Sequence, residues 1–297
     1  MSGSTNTARE LMLLLALSTL WGAAYSFIRV GVETIPPITL IASRTLLAGL
    51  LLLAVLRLRG VSLPMDRATW RRFLIQAVLN SALPFTLIAW AEQTTEASLA
   101  VILNSMTPIF AFLLTALITR HERVTARKLF GVAAGLAGVC LIIGMDALGG
   151  VGRELWAQLA IIVATLCYGA AAITGKGFKG LDPMVPAAGS MVCGAAILIP
   201  LSLIVDRPWT LAPSTDSVLA LLGLSVFSTA LAFAIYFRLI QTLGSVGTTA
   251  QAYLRVPIGV AIGVIFLGEH LSTTAWIGFA CVVPGVMAMT WPERKRG

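Results

Sequence analysis

Residues 36–56 read PPITLIASRTLLAGLLLLAVL, a run in which Arg44 is the only charged residue. An α-helix needs about 20 consecutive apolar residues to cross the hydrocarbon core of a bilayer. Nine further runs share this length and character, so we predict an all-α, polytopic membrane protein with ten transmembrane helices. The predicted spans 1 to 10 are 11–32, 36–56, 73–91, 97–119, 126–144, 155–176, 184–205, 217–239, 248–267 and 273–290.

The composition is that of a membrane protein and excludes an ordinary soluble domain. Hydrophobic residues make up 58% of the 297 residues and charged residues 11%, whereas soluble domains carry about 25% charged residues. The net charge of +8 comes from short basic clusters between apolar runs, without the basic face that nucleic-acid binding needs. The four cysteines lie singly inside apolar runs, so we expect no disulfide and no metal site. We therefore expect the lipid bilayer as a partner, and neither nucleic acid nor a cofactor.

The distribution of lysine and arginine predicts the orientation in the membrane. With the amino terminus in the cytoplasm, 16 of the 21 basic residues fall on the cytoplasmic side and 3 on the outer side. Cytoplasmic loops of membrane proteins are enriched in these residues. We therefore predict a multi-pass protein of the bacterial inner membrane with both termini in the cytoplasm.

The second half of the sequence repeats features of the first half at a shift of 147 residues. The matched pairs include Gly22 with Gly169, Arg29 with Lys176, Pro36 with Pro183, Glu122 with Glu269, Gly131 with Gly278 and Gly138 with Gly285. We predict two five-helix repeats, residues 1–147 with spans 1 to 5 and residues 148–297 with spans 6 to 10. Because five is odd, the second repeat is inverted in the membrane, an architecture common among secondary transporters.

With these repeats the chain resembles the EamA branch of the drug/metabolite transporter superfamily, and in particular bacterial aromatic amino-acid exporters of the YddG type. The residues that carry the resemblance are Leu20-Trp21-Gly22, Thr107-Pro108, Glu122, Gly131, Gly138-Val139, Pro257, Gly268-Glu269, Gly278 and Gly285-Val286. The resemblance implies a central cavity lined by spans 1, 3, 4, 6, 8 and 9. It also implies that spans 5 and 10 close the back and that spans 2 and 7 lie outside.

Polar and aromatic side chains at membrane depth are the candidate binding residues, because polar groups are costly in hydrocarbon. In the spans that the resemblance places around the cavity, the substrate-binding candidates are Trp21, Tyr25, Asn80, Asn104, Tyr168, Phe227, Gln251, Tyr253 and Arg255. Aromatic walls with a few amide groups suit flat, partly apolar metabolites. The alternative is that the amides and hydroxyls only form hydrogen bonds between helices.

Two arginines lie deep inside predicted spans, and five prolines interrupt spans: Pro84, Pro108, Pro200, Pro257 and Pro284. Arg255 can bind a substrate carboxylate through two parallel hydrogen bonds, or it can bond carbonyl groups that a nearby proline frees. Arg44 lies in span 2, which the resemblance places outside the cavity, so we expect a structural role for it. Proline bends a helix, and we predict hinges near the binding region at Pro84, Pro108 and Pro257.

These features together predict a secondary transporter that exports small organic metabolites by alternating access, with aromatic or other neutral amino acids as the favoured substrates. Every acidic residue and histidine falls at a span end or in a loop, which favours facilitated transport; Glu92 is the residue that best suits proton-coupled antiport. Without a Walker motif or a hydrolase signature, we expect no use of ATP, no enzymatic activity and no catalytic residue. A cationic multidrug transporter and an organophosphate or nucleotide-sugar transporter are the alternatives. We expect a monomer, with a dimer as the alternative.

Overall fold

The computed structural model describes residues 7–114, 116, 125–148, 153–178, 180–182, 184–236, 238–239 and 251–290. Every regular element in these residues is helical. Seven helices are long and apolar enough to cross a membrane, and three shorter apolar helices accompany them. They correspond in order to the ten predicted spans, so the prediction of an all-α, polytopic membrane protein is confirmed.

The helices of spans 1 to 5 are Thr7–Gly31, Pro37–Leu58, Arg67–Ala77 with Leu83–Ala91, Ala97–Asn104 with Thr107–Leu114, and Ala126–Leu148. The helices of spans 6 to 10 are Arg153–Thr174, Met184–Val205, Thr215–Ser225, Gln251–Phe266 and Thr273–Thr290. The described helices of spans 7 and 10 cover the predicted ranges 184–205 and 273–290. Span 4 was predicted as a single helix, but it is interrupted at Ser105 and Met106.

Capping side chains set the start of two spans. Asp66 precedes span 3, and its carboxylate accepts a hydrogen bond from the backbone N–H of Thr69 at 2.8 Å. This bond lowers the pKa of Asp66 below its usual value. Ser214 caps span 8 in the same way, accepting from the N–H of Ser217 at 3.2 Å. Such caps satisfy backbone donors that the first helical turn leaves free, so span 3 begins at Arg67 rather than at the predicted residue 73.

Spans 3 and 8 each contain a π-helical segment, Val78–Ala82 in span 3 and Val226–Leu231 in span 8. A shift of 147 residues superimposes most of one segment on the other. π-Helical turns are rare and concentrate at functional sites. Because the two segments occupy matched positions, the interior between spans 3 and 8 is a candidate location for the functional site.

Spans 5 and 10 pack against each other through glycines. A Cβ atom on Gly138 would lie 2.7 Å from the carbonyl oxygen of Gly278, and one on Gly285 would lie 2.9 Å from the carbonyl oxygen of Gly131. Small residues let helix backbones approach this closely. At the shift of 147 residues Gly138 corresponds to Gly285 and Gly131 to Gly278, so each contact is the counterpart of the other. Contacts of this reciprocal kind arise when a two-fold axis relates two halves.

The remaining spans surround the buried interior. Span 1 packs on span 9, span 2 on span 7, and span 6 on spans 3 and 4. Where spans 1 and 9 cross, a Cβ atom on Gly22 would lie 3.1 Å from the backbone nitrogen of Gly259. The close crossing brings the polar side chains of span 1 next to those of span 9.

Candidate substrate-binding site

A buried hydrogen-bonded cluster joins spans 1, 4 and 6. The side-chain amide of Asn104 donates to the hydroxyl oxygen of Tyr25, and Thr165 donates its hydroxyl to the amide oxygen of Asn104 at 3.2 Å. Tyr25 is 6% exposed, Asn104 3% and Thr165 0%. Asn104 ends its helix immediately before the break at Ser105. The predicted candidates Tyr25 and Asn104 are thus in contact, and Thr165 is a partner that the sequence analysis did not identify.

Spans 1 and 9 carry a matching contact. Ser18 donates its hydroxyl to the backbone carbonyl of Gln251 at 3.1 Å. The shift of 147 residues places Ser18 on Thr165 and Asn104 on Gln251, so the two hydrogen bonds are related by the internal repeat. The amide oxygen of Gln251 is itself buried without a hydrogen-bond partner among the described residues.

Aromatic rings flank these amides in two groups. The ring of Trp21 lies 6.1 Å from that of Phe233 and 5.4 Å from that of Tyr236, while Tyr168 lies 6.3 Å from Phe85. The shift of 147 residues superimposes Trp21 on Tyr168. Aromatic rings at these separations attract each other. Trp21 packs against a small cluster of Leu14, Leu17, Ala232 and Leu239, and Tyr168 packs against the main core, so a role of either in binding stays a prediction.

Arg255 lies in this interior, as the sequence analysis expected. Its Nε is buried without a hydrogen-bond partner in the described part of the chain, and its guanidinium group lies near Tyr25 and Tyr168. Arg44 also lies inside, where it interacts with the same two tyrosines. The sequence analysis expected span 2 to keep Arg44 away from the cavity, and the structure differs because the Arg44 face of span 2 turns toward spans 3 and 8.

Other predicted residues lie apart from the cluster. Asn80 is half-buried and Phe227 is 49% exposed, and neither has a hydrogen bond or ring contact with the cluster among the described residues. Both belong to the π-helical segments. The side chain of Tyr253 lies outside the described residues.

The three predicted hinge prolines occupy different environments. Pro84 is buried at the start of the second helix of span 3, immediately after the π-helical segment. Pro108 is half-buried at the start of the second helix of span 4, next to the break. Pro257 lies inside the helix of span 9 and lines an apolar groove with Trp276 and Phe279 of span 10. A hinge role for these prolines stays a prediction.

Spans 4 and 9 are joined at one end of the bundle by a carboxylate. Glu269 accepts hydrogen bonds from the backbone N–H groups of Ala97 at 2.7 Å and Ser98 at 2.9 Å, and from the Ser98 hydroxyl. The carboxylate is 8% exposed and caps the amino-terminal end of the helix Ala97–Asn104, where helix polarity favours a negative charge. Gly263 adjoins both partners, since a Cβ atom there would collide with Glu269 and Ser98. Glu122, the repeat counterpart of Glu269, lies outside the described residues.

Glu92 lies at the same end of the bundle, in the turn that follows span 3. It is 0% exposed, and neither carboxylate oxygen has a hydrogen-bond partner among the described residues. Arg29 donates to the backbone carbonyl of Glu92 rather than to its carboxylate. Burial raises the pKa of Glu92 well above its usual value, and nearby Glu269 raises it further, against opposing effects of Arg29 and Arg44. Burial of this kind disfavours the charged form of the carboxyl group.

The side chains of this interior are of the kinds found in small-molecule binding sites. Among the described residues there is no group of three or more histidine, cysteine or acidic side chains that could hold a metal ion. What the interior offers is hydroxyl and amide groups, aromatic faces and two guanidinium groups, the combination that binds a small polar molecule with an aromatic or apolar part.

Comparisons with known proteins identify membrane transporters as the relatives of this chain. The sequence model of the EamA-like transporter family matches the chain twice, at residues 8–144 and 155–291. The uncharacterized inner membrane transporter YedA of Escherichia coli K12 is 29% identical over 93% of this chain and 89% of its own length. A probable terminal-alkyne amino-acid exporter of Streptantibioticus cattleyicolor is 26% identical over 90% of this chain and 88% of its own. A solved crystal structure with 19% identity has a TM-score of 0.65 over 95% of this chain and 96% of that chain, which shows a shared fold.

Proposed function

This chain belongs to the EamA-like transporter family, and we propose that it exports amino acids, aromatic or other neutral ones, across the bacterial inner membrane. The observation that carries the proposal is the buried cluster of Tyr25, Asn104 and Thr165 between aromatic rings. Amide and hydroxyl groups at membrane depth are costly unless they serve binding or helix packing. The name of one relative, an amino-acid exporter, supports the same substrate class.

Alternating access is the proposed mechanism. Two inverted five-helix repeats, residues 1–147 and 148–297, would exchange roles so that the site opens to one side at a time. The reciprocal contacts of spans 5 and 10 support this two-fold relation. So does the pairing of Ser18 with the Gln251 backbone and of Thr165 with the Asn104 side chain, which joins matched positions of the two halves. The bonds from Ala97 and Ser98 to Glu269 hold one end of the bundle together in the present conformation.

Counterflow in proteoliposomes tests the substrate class. Proteoliposomes loaded with unlabelled phenylalanine should accumulate labelled phenylalanine from outside. Asn104→Leu should slow this exchange about tenfold, since the loss of a buried polar network costs ~1–3 kcal/mol. Thr19→Ala is the matched control, because Thr19 is exposed and bonds only within its own helix at Leu15. Exchange of organic cations or phosphorylated sugars, without exchange of any amino acid, would replace the proposal with one of its alternatives.

Proton-coupled antiport is a second candidate for the energy source, and the burial of Glu92 favours it. A carboxyl group that is buried when one end of the bundle is closed, and wetted when that end opens, can carry a proton between the two sides. Facilitated transport remains the proposal that needs no coupling ion. Collapsing only the pH gradient across proteoliposomes distinguishes antiport from facilitated transport: antiport stops, whereas facilitated transport continues unchanged. If antiport operates, Glu92→Gln should abolish the response to the gradient.

The orientation is part of the proposal. Both termini are expected in the cytoplasm. Impermeant thiol labelling of single cysteines placed at positions 122 and 269 should place the two on opposite sides of the membrane, and labelling from one side only would exclude an inverted repeat. A monomer is expected to carry out transport, which light scattering of the purified protein checks.

A further inference from the structure

Arg44 is a buried cation held by uncharged groups. Its side chain comes from span 2 and is 5% exposed. The Nε group donates to the hydroxyl oxygen of Thr229 at 3.0 Å, and the guanidinium carbon lies 3.8 Å from the centre of the Phe85 ring. Both contacts orient the planar guanidinium group and leave its two Nη groups without a hydrogen bond to any described residue.

No described carboxylate pairs with this cation. The ion pairs of the described residues involve Arg59 with Asp182 and Arg238 with Glu10. The charged and titratable groups near Arg44 are Tyr168, Tyr25 and Glu92, and none of the three bonds the guanidinium group. Glu92 keeps both oxygens free of hydrogen bonds to the described residues, so its charge does not neutralise Arg44 through a direct contact.

A guanidinium group buried in this way is costly for the empty protein. Arginine stays protonated in proteins, so it cannot avoid the cost by losing its charge. Stacking on an aromatic ring and one neutral hydrogen bond recover only part of the lost hydration. A charge kept in the folded interior without a counterion among the described residues is best explained by an anionic group that arrives with the ligand.

Thr229 gives Arg44 a fixed position. The Thr229 hydroxyl donates to the carbonyl of Leu224 at 2.8 Å while it accepts from Arg44. Leu224 is five residues earlier in span 8, and the π-helical segment Val226–Leu231 provides this spacing. The irregular turn of span 8 therefore holds the guanidinium group in place, with its pair of Nη groups available for a planar acceptor.

From this geometry we propose that the two Nη groups of Arg44 bind the carboxylate of the transported substrate, with its apolar part against Phe85, Tyr25 and Tyr168. Arginine binds carboxylates with two parallel N–H···O bonds, and its fork of donors matches the two oxygens. Arg255, which also lies near Tyr25 and Tyr168, adds to the positive potential of the same interior. The inference rests on the proposed function, because it names the group by which an exported amino acid is recognised.

Three related probes separate the carboxylate from the amine. Binding of L-phenylalanine, L-phenylalaninamide and 3-phenylpropanoate is measured by calorimetry on the purified protein in lipid nanodiscs. We expect Arg44→Gln to weaken binding of the two carboxylates about 10- to 100-fold, the worth of a charge-assisted bond pair, and to change binding of the amide less than about threefold. Arg71→Gln is the control, since it removes an exposed arginine of span 3. Equal weakening of the acid and the amide by Arg44→Gln would overturn the proposal.

Two further variants keep the test decisive if Arg44→Gln does not fold. Arg44→Lys retains the charge but not the fork of donors, and Thr229→Val releases the Nε group while leaving Arg44 in place. Each should weaken carboxylate binding about 3- to 10-fold with the amide unaffected, and carboxylate binding equal to that of the unaltered protein in both would exclude the site.

The same probes distinguish this inference from the proposed function. Binding of 3-phenylpropanoate that depends on Arg44, together with no binding of phenylalanine, would sustain the carboxylate site and reject amino acids as substrates. Binding of phenylalaninamide alone would reject the carboxylate site.

Discussion

Removal of the Glu269 carboxylate should open the end of the bundle at which spans 4 and 9 meet. Glu269 accepts from the N–H groups of Ala97 and Ser98 and from the Ser98 hydroxyl. Glu269→Ala leaves two backbone donors without an acceptor, and each buried unsatisfied donor costs about 1–3 kcal/mol. Water reaches an end of the bundle more easily than its centre. We therefore expect the substitution to destabilise the closed form relative to the open form by about 3 kcal/mol, near the low end of the summed cost of the two donors.

This free energy translates into a measurable opening. About 3 kcal/mol changes an equilibrium between closed and open forms by roughly 100-fold. Thr95 is 1% exposed at the same end of the bundle, so Thr95→Cys, in a background without the four native cysteines, reports opening through its reaction with an impermeant maleimide. The labelling rate follows the open population when reclosing is fast, so Glu269→Ala should raise it up to about 100-fold.

Two further variants define the cause of the change. Gly263→Ala should raise the labelling rate as well, because the added Cβ atom displaces Glu269 from Ser98. His270→Gln is the matched control, since its side chain is exposed and adjacent to Glu269 in the chain. If Glu269→Ala folds with an unchanged melting temperature and labels no more than threefold faster than the control, the contact does not hold this end closed.

Other expectations follow from the fold. Gly138→Leu should lower the melting temperature by several degrees and reduce the yield of folded protein, since its side chain cannot fit beside the carbonyl of Gly278, and circular dichroism on heating measures this. Asp66→Ala should cost about 1 kcal/mol of stability by removing the cap on Thr69, whereas Asp66→Asn should retain most of it. Because burial raises the pKa of Glu92 in the closed end, closure is stabilised while the carboxyl is protonated and weakens as pH rises through that raised pKa. Maleimide labelling at this end should therefore accelerate with pH beyond the intrinsic thiol effect, and a Glu92→Gln variant should show only the intrinsic effect.

Hydropathy predicted the helices well where an apolar run ends abruptly. The described helices of spans 7 and 10 cover the predicted ranges 184–205 and 273–290, and span 7 ends at Val205 as predicted. Two errors have local physical causes. The Asp66 cap lets span 3 begin in charged sequence that a hydropathy criterion leaves out, and the break at Ser105 and Met106 lies where Asn104, Ser105 and Thr107 interrupt the apolar run.

The candidate site was predicted in part. Tyr25, Asn104 and Arg255 were selected because polar groups at membrane depth require a reason, and the structure places all three in the interior. Thr165 could have been found from the repeat, since it is the counterpart of Ser18 at the shift of 147 residues. Phe227 was selected by the same depth criterion, but 49% of it is exposed.

The amino-acid sequence was enough to identify the apolar segments of the ten spans, because spanning a membrane depends on the length and polarity of each segment. The inward turn of Arg44 onto Phe85 and Thr229 became visible only in the packed helices. A helix that is apolar on every side carries no periodic signal for its inner face, so its rotation is set by the packing of its neighbours.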